Sequence, residues 1–510
     1  MVKHHSPPKK KRSTRLLRVA SWALSGLALF MLAGAGWIRY RFGEVSLEQI
    51  VMNLPGAEGG EGAGNEGLVV EAAFVCIGLP LVCLLFTAIV LLVRRKLIRR
   101  KPLEPSEPAA RPVRRRWKVA VPAAAFVLAL AILSLVAGVP QHVARLIDNR
   151  TFAEYYVRPQ AAAPQSPKNL ITIYLESMEN TFGDKDIFGQ NLLAELDEAT
   201  AGWNQYGNVG EGLRQYQGGG WTMAGIVGTQ CGIPLKSRLL LAGVNPNDLG
   251  EQVDSYLPGA ECLGDILAEN GYTNAFIGGA QTRFAGKDTF LKGHGYQSVK
   301  GLGYWEANGA DAADISIWGL SDVQLFEYAR KSATELRDAG TPFNLTILTL
   351  DTHEPAGVYP SCVTGDQIPM ATAIKCSMRA VSGFLEYLRG QGFYEDTVIV
   401  VMGDHLKATS EGGDFKNELD SIPDRAIVYR VWSPDPVAFS RSNADQLSVF
   451  PTTLDLLGFG LEDGRAGLGI SFVGDYDLAN TALRLPEQEY RELLDSPSSE
   501  LYREFWKAEV

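Results

Sequence analysis

Histidine and cysteine are scarce in this 510-residue chain, at six each. None of the cysteines falls into a C-x-x-C pair, which argues against a thiolate zinc site. No A-x-A-like cleavage site closes the first apolar stretch, and two further stretches follow, so a simple cleavable signal peptide is not expected. Internal repeats and extended low-complexity segments are absent as well. Basic charge is short in the C-terminal part. Residues 1–118 carry 20 Lys+Arg and 8 Asp+Glu of the chain's 48 and 58, leaving 28 and 50 beyond them, a net of −22. So acidic a region is a poor partner for nucleic acid, but is compatible with solubility and cation binding.

What the chain has in plenty is apolar length near its N-terminus. Residues of about 16–38, 68–93 and 119–139 each suffice to cross a hydrocarbon core of about 30 Å as a helix. Seven Lys/Arg precede or open the first stretch, and eleven more separate the second from the third, in RRKLIRRKPLEPSEPAARPVRRRWK. Between the first and second lies the acidic, glycine-rich GAEGGEGAGNEG. Basic runs of this kind also serve as nucleic-acid or localisation signals; flanking spans, they read as topology. The positive-inside rule puts the N-terminus and the second loop in the cytoplasm, and everything after about Pro140 outside.

The expected organisation is a membrane domain over 1–140, a juxtamembrane helix and linker over 141–168, a large α/β domain over 169–480, and a peripheral helical tail over 481–510. Within the third region, short β-rich apolar runs alternate with helical stretches such as AVSGFLEYLRGQG, the pattern of a mainly parallel sheet flanked by helices. Four cysteines lie in the external part. Proximity favours pairing Cys231 with Cys262 and Cys362 with Cys376, although three connectivities are open.

The buried runs share one feature: they end in polar residues. NLITIYLES presents Glu176, FNLTILTLDTHEP presents Asp351 and His353, and DTVIVVMGDH presents Asp404 and His405. TNAFIGG empties into a loop with Arg283, Lys287 and His294. In open parallel sheets, ligands bind beyond the carboxyl ends of the strands. A lone Asp or His there is ordinarily a turn or capping residue. Several such ends, drawn from only six histidines, instead place Glu176, Asp404 and His405 in one cluster suited to Mn²⁺, Mg²⁺ or Zn²⁺. The complementary nucleophile is Thr222 in YQGGGWTMAGIVGTQCGIPL. A glycine loop entering a helix offers free N–H groups and a positive dipole end to an anion. Helix capping alone would account for a threonine there; opposite a metal, its hydroxyl can ionise and attack phosphorus.

The segments IYLESME, GGWTMAGIVGTQCGIPL, FAGKDTFLKGHGY, TLDTHEP and DTVIVVMGDHL together resemble the alkaline phosphatase/sulfatase superfamily, and more narrowly its lipoteichoic acid synthase and phosphoglycerol transferase branch. The resemblance implies one divalent cation, usually Mn²⁺ or Mg²⁺ and less well Zn²⁺, on Glu176, Thr222, Asp404 and His405. It makes Thr222 the nucleophile and His353 a substrate contact or proton carrier, with Trp221 and Lys287 as further substrate-binding positions. The branch's tryptophan and arginine for glycerol phosphate fall here on Ala285 and Lys287, which keeps a positive charge without a bidentate fork. The implied activity is phosphoglycerol transfer at a bacterial cytoplasmic membrane, with phosphatidylglycerol as donor and a periplasmic glucan or other surface polymer as acceptor. A membrane-bound phosphodiesterase, a phosphoethanolamine-type transferase and a non-catalytic metal-stabilised scaffold are the alternatives. A sulfatase is disfavoured, because Cys231 is followed by Gly-Ile-Pro-Leu-Lys and so lacks the Cys/Ser-x-Pro-x-Arg pattern of a formylglycine precursor.

Overall fold

The computed structural model describes residues 10–42, 66–98, 113–140, 143, 150–207, 212–236, 253–362, 364–409, 413–442 and 444–507. The acidic segment between the first two apolar stretches and much of the basic runs lie outside the described residues. The chain divides into two compact units, Met1–Ala144 and Arg145–Val510.

In the first unit, three helical segments contain stretches long and apolar enough to cross a membrane: Val19–Tyr40, Val70–Arg94 and Val119–Val136. The second is not uniform, since a π-turn, Phe74–Gly78, interrupts it. Its one carboxylate, Glu71, accepts a hydrogen bond from Trp37 Nε1 at 3.1 Å, which reduces the cost of holding a polar group in an apolar segment.

The second unit is built on a seven-stranded sheet of order β2-β7-β6-β1-β5-β3-β4. Its central strands are β1 (Asn169–Leu175), β3 (Thr273–Gly278), β5 (Phe343–Leu348) and β6 (Thr397–Gly403), with β4 (Ser298–Lys300) at one edge. These five run parallel. On the other side, β7 (Tyr429–Trp432) pairs antiparallel with β6, and the short β2 (Asn204–Gln205) pairs antiparallel with β7. Every residue of β5 and β6 is buried, as expected for strands covered by helices on both faces. Alternate side chains feed two cores. Leu170 and Tyr174 of β1, with Val398, Val400 and Met402 of β6, enter one; Ile171, Ile173, Ile399 and Val401 enter the other. Because the five strands are parallel, their carboxyl ends share an edge. Glu176, Thr349–His353, Gly279 onward and Asp404–His405 emerge there together.

The expected juxtamembrane helix falls largely on residues 141, 142 and 144–149, which lie outside the described residues; residues 150–168 form turns and extended chain, in which Val157 pairs with Gly467 and Ala162 with Gly460. One expectation needs correction. The tail is helical at Glu487–Asp495 and Ser499–Phe505, but it is not peripheral. Tyr490, Leu493, Leu494, Leu501, Tyr502 and Phe505 are buried in the first core, and Tyr490 Oη donates to Asp445 at 2.6 Å. Both favoured disulfides are formed, Cys231–Cys262 and Cys362–Cys376.

Candidate active site

Glu176 leaves β1 with its backbone held by the end of β5. Its N–H donates to Thr349 Oγ1 at 2.9 Å, and its carbonyl accepts from Thr352 Oγ1 at 2.6 Å. The next residue, Ser177, adopts φ 55°, a costly region for a side chain that persists where the surroundings require it. The turn is used fully. Ser177 N–H donates to Asp404 Oδ1 at 2.8 Å and Ser177 Oγ to Glu176 Oε1 at 2.8 Å.

Asp404 and His405 follow β6 across Gly403. A Cβ at Gly403 would lie 2.0 Å from Met178 O, so only glycine lets the two strand ends come together. Asp404 Oδ1 also accepts the His405 amide at 2.8 Å, whereas Asp404 Oδ2 is buried without any hydrogen-bond partner. His405 Nδ1 meets Leu406 O at 2.9 Å. With Nδ1–H as donor, Nε2 is turned toward the carboxylates, 3.4 Å from Glu176 Oε1 and 3.5 Å from Asp404 Oδ2. One ligand atom from each of Glu176, Asp404 and His405 lies within 4.8 Å of the others.

Thr222 opens the helix Thr222–Cys231, and Trp221 before it makes no side-chain cap. The Thr222 hydroxyl donates instead to Glu176 Oε2 at 3.1 Å, so it is spent on the cluster rather than on capping. Glycines bring the helix this close. A Cβ on Gly225 would meet Asp404 O at 2.1 Å, and one on Gly219 would meet Gln446 Oε1 at 2.5 Å. Gln446 Nε2 donates to Asp404 O at 2.6 Å, and Gln215 Oε1 accepts Leu406 N–H at 2.8 Å. Gly225→Ala must therefore separate helix from loop. Overpacking of this kind costs about 1–3 kcal/mol, and a displacement near 1 Å can cost about 100-fold in rate. Thermal denaturation and turnover should both report the loss, while Gly293→Ala, with open space around its Cα, leaves both unchanged.

The electrostatics fit a cation. Burial raises the Asp404 carboxyl, and Glu176 beside it raises it further, to about 7. His405 is lowered by burial, yet Asp404 and Glu176 outweigh this and carry it to about 10. Burial likewise opposes ionisation of Glu176, but the charges of His405 and His353 with the Ser177 hydrogen bond hold it well below the usual carboxylate range. Two carboxylates thus retain a proton on the imidazole in the absence of a more highly charged occupant. A partnerless buried oxygen, a second carboxylate and an imidazole nitrogen make a donor set suited to a hard or borderline divalent ion, and the Nδ1–H···O=C bond is the support that ligating histidines commonly have.

Three other expected residues surround this cluster. Lys287 opens the helix Lys287–Gly293. Burial lowers it to about 8 against the opposing pull of Glu176 and Asp404, and its Nζ lies 5.7 Å from the Phe284 ring centroid. His353 is close enough to stabilise the Glu176 charge; its Nδ1 meets Glu354 O at 3.0 Å, and its ring lies 4.0 Å from that of Trp318. Trp221 is half-buried and packs against the first core. His294, the last polar residue after β3, is not part of the site. It bonds Asp265 Oδ2 at 2.7 Å and Tyr256 O at 3.0 Å. The nearby grouping of Cys262, Asp265 and His294 has its sulfur committed to a disulfide. Sequence reasoning missed Ser177, Gly225, Gln215, Gln446 and Trp318. Of these only Gly225 had a signal, the small-residue run TMAGIVG.

A sulfatase family model matches residues 238–459. The fold is that of a protein in the alkaline phosphatase superfamily from Vibrio parahaemolyticus, with a TM-score of 0.50 at 20% identity, covering 73% of this chain and 96% of that one. The chain therefore has an alkaline phosphatase-like fold with a region that matches the sulfatase family model. It is similar to phosphoglycerol transferase I of Xanthomonas axonopodis pv. citri, 37% identical over 51% of this chain and 37% of the relative. Phosphoglycerol transferase I of Escherichia coli is 32% identical over 66% of this chain and 43% of the relative. The chain thus spans less than half the length of these curated relatives. A cysteine-derived formylglycine is ruled out at Cys231, which lies at the far end of the helix from Thr222 and is disulfide-bonded.

Proposed function

We propose that the protein is a membrane-anchored, cation-dependent phosphoglycerol transferase that moves phosphoglycerol from phosphatidylglycerol to a hydroxyl of a periplasmic glucan or similar surface polymer. The observation that carries this reading is the Thr222 hydroxyl directed onto a buried carboxylate–imidazole cluster instead of capping its own helix. The similarity to phosphoglycerol transferase I of two genera supports the substrate class. The three membrane-length helices support the lipid donor, and the basic runs around them favour the outer face of a bacterial cytoplasmic membrane for the catalytic unit.

Glu176, Thr222, Asp404 and His405 would hold the cation, Mn²⁺ or Mg²⁺ being our assignment, and when bound it supplies the charge that favours ionisation of the Thr222 hydroxyl and neutralises a phosphoryl oxygen. The Thr222 oxygen forms a bond to phosphorus as the bond from phosphorus to the diacylglycerol oxygen breaks, leaving glycerophospho-threonine. The departing alkoxide takes a proton, and His353, whose Nδ1–H is committed to Glu354 O, would move it through Nε2. In the second half, an acceptor hydroxyl loses its proton to His353 and displaces Thr222. Lys287 offsets charge on the phosphodiester, and the N-terminus of the Thr222–Cys231 helix adds its dipole. Trp221, beside the nucleophile, would line the substrate entrance.

The test is product analysis. Labelled phosphatidylglycerol and a glucan acceptor are expected to yield labelled glucan and diacylglycerol. Free glycerol phosphate at a rate indifferent to glucan would identify a phosphodiesterase instead, and label transfer only from phosphatidylethanolamine would identify a phosphoethanolamine transferase.

A further inference from the structure

Among the described residues of the second unit, five large apolar side chains are exposed: Phe284, Tyr304, Ile317, Val358 and Ile368. Their distribution matters more than their number, since scattered exposed apolar residues are ordinary. Phe284 follows β3 and Tyr304 follows β4. Ile317 precedes the helix Asp322–Asp338 that leads back to β5, Val358 follows β5, and Ile368 precedes the helix Pro369–Gly390. All five therefore belong to the carboxyl edge of the parallel sheet, the edge that carries Glu176, Asp404 and His405. The opposite edge exposes Asp338, Glu395 and Asp396.

The loops bearing these residues are joined. Leu320 N–H donates to Gly279 O at 3.1 Å, Leu302 N–H to Ala280 O at 3.1 Å, and Trp318 Nε1 to Pro355 O at 3.1 Å. Gly319 sits so close to Gly279 that a Cβ would lie 2.3 Å from its carbonyl oxygen. The rim also touches the chemistry: Trp318 packs on His353 and Phe284 lies over Lys287. Lys300 Nζ lies 5.0 Å from the Tyr304 ring centroid, and Arg283 beside Phe284 is exposed, a pairing of base and aromatic suited to a headgroup layer. Glu306 and Asp311 on the same side are exposed too, so apolar contact, not net charge, is what this surface offers.

We infer that this rim, centred on Ile317 and Val358, is a lipid-docking surface that rests on the phospholipid bilayer and presents the catalytic cluster to headgroups. The occupant follows from the chain itself, whose three membrane-length helices bring a bilayer within reach of the unit. The inference deepens the reading of a lipid donor and rests on it, but its two tests separate the two claims.

In the first, the full chain carries p-benzoylphenylalanine in place of Ile317, Val358 or, as control, Asp338, and is irradiated in phosphatidylglycerol-containing proteoliposomes. Lipid adducts at 317 and 358 and none at 338 are expected. Adducts to a second copy of the chain, or no lipid adducts, overturn the inference. In the second, Ile317→Asp combined with Val358→Asp should raise KM for bilayer phosphatidylglycerol at least tenfold. Cleavage of water-soluble bis(4-nitrophenyl) phosphate should be unchanged. Equal loss on both substrates, or none on either, overturns it. An unmutated chain that acts on neither substrate refutes the transferase reading alone, because the adducts still decide docking.

Discussion

Thr222→Ala protein incubated with phosphatidylglycerol labelled in its headgroup will carry no covalent label, and its turnover will fall by roughly four to six orders of magnitude, the range seen when a nucleophile is removed from a preorganised site. The large effect follows from the division of labour at this edge of the sheet. In the proposed reading, Glu176, Asp404 and His405 would hold the cation whose charge favours ionisation of one hydroxyl, and that hydroxyl is the one 3.1 Å from Glu176 Oε2. Among the described residues, the other hydroxyls bonded to Glu176 are Ser177 Oγ, on Oε1, and Thr352 Oγ1, on the backbone carbonyl, and neither opens a helix as Thr222 does. Fold stability should barely change, since the loss of one half-buried hydrogen bond costs about 1 kcal/mol. Thr222→Ser separates chemistry from packing. It keeps an oxygen in place, so label should still accumulate on the protein, with turnover lowered far less than in the alanine variant. Label that persists on Thr222→Ala would move the nucleophile elsewhere and remove the central claim of the mechanism.

Much of this site could be read in the sequence because parallel strands buried on both faces leave a plain signature. Runs such as LITIYL and TVIVVM have no polar side to face water, so the Glu, Asp and His that end them stand out. The same pattern does not decide the role of His294, which stands in the loop region after β3. A histidine after β3 has the same appearance in sequence as one after β6, and only the fold shows its ring saturated by Asp265 and Tyr256 O. The tail LPEQEYRELLDSPSSELYREFWKAEV is misleading. Its abundant charge suggested a peripheral helix, yet Tyr490, Leu493 and Leu494 form a buried stripe three to four residues apart. What no local pattern conveys is close approach between distant segments. Gly225 and Gly403 are required by a carbonyl from another element within 2.1 Å of a hypothetical Cβ, and such a neighbour has no trace in the residues around either glycine. Trp318 is similar: an aromatic in a loop acquires meaning only once His353 lies 4.0 Å from it.

Cation affinity is expected to rise steeply with pH, and calorimetry in buffers of differing ionisation enthalpy will show protons released on loading. The sign follows from the cation-free cluster. His405 binds its proton up to about 10, because Asp404 and Glu176 outweigh the effect of burial. A ligating imidazole must be neutral at the coordinating nitrogen, so at any pH below about 10 the incoming ion must expel that proton. Each proton expelled steepens the apparent association constant by about tenfold per pH unit. Between pH 7 and 8, His405 alone should contribute about one decade. Below about 7, Asp404 also becomes protonated, because burial and the neighbouring Glu176 hold its carboxyl up, and the slope should approach two decades per unit. His405→Gln removes the first contribution and Asp404→Asn the second, each also weakening binding outright by loss of a ligand. Chelation at neutral pH should stop turnover and leave the fold intact, since the imidazolium then takes over the ion's place between the two carboxylates; Mn²⁺ or Mg²⁺ should restore it. An affinity that stays flat from pH 6 to 8 would mean that the ion binds without displacing a proton, and therefore not at Glu176, Asp404 and His405.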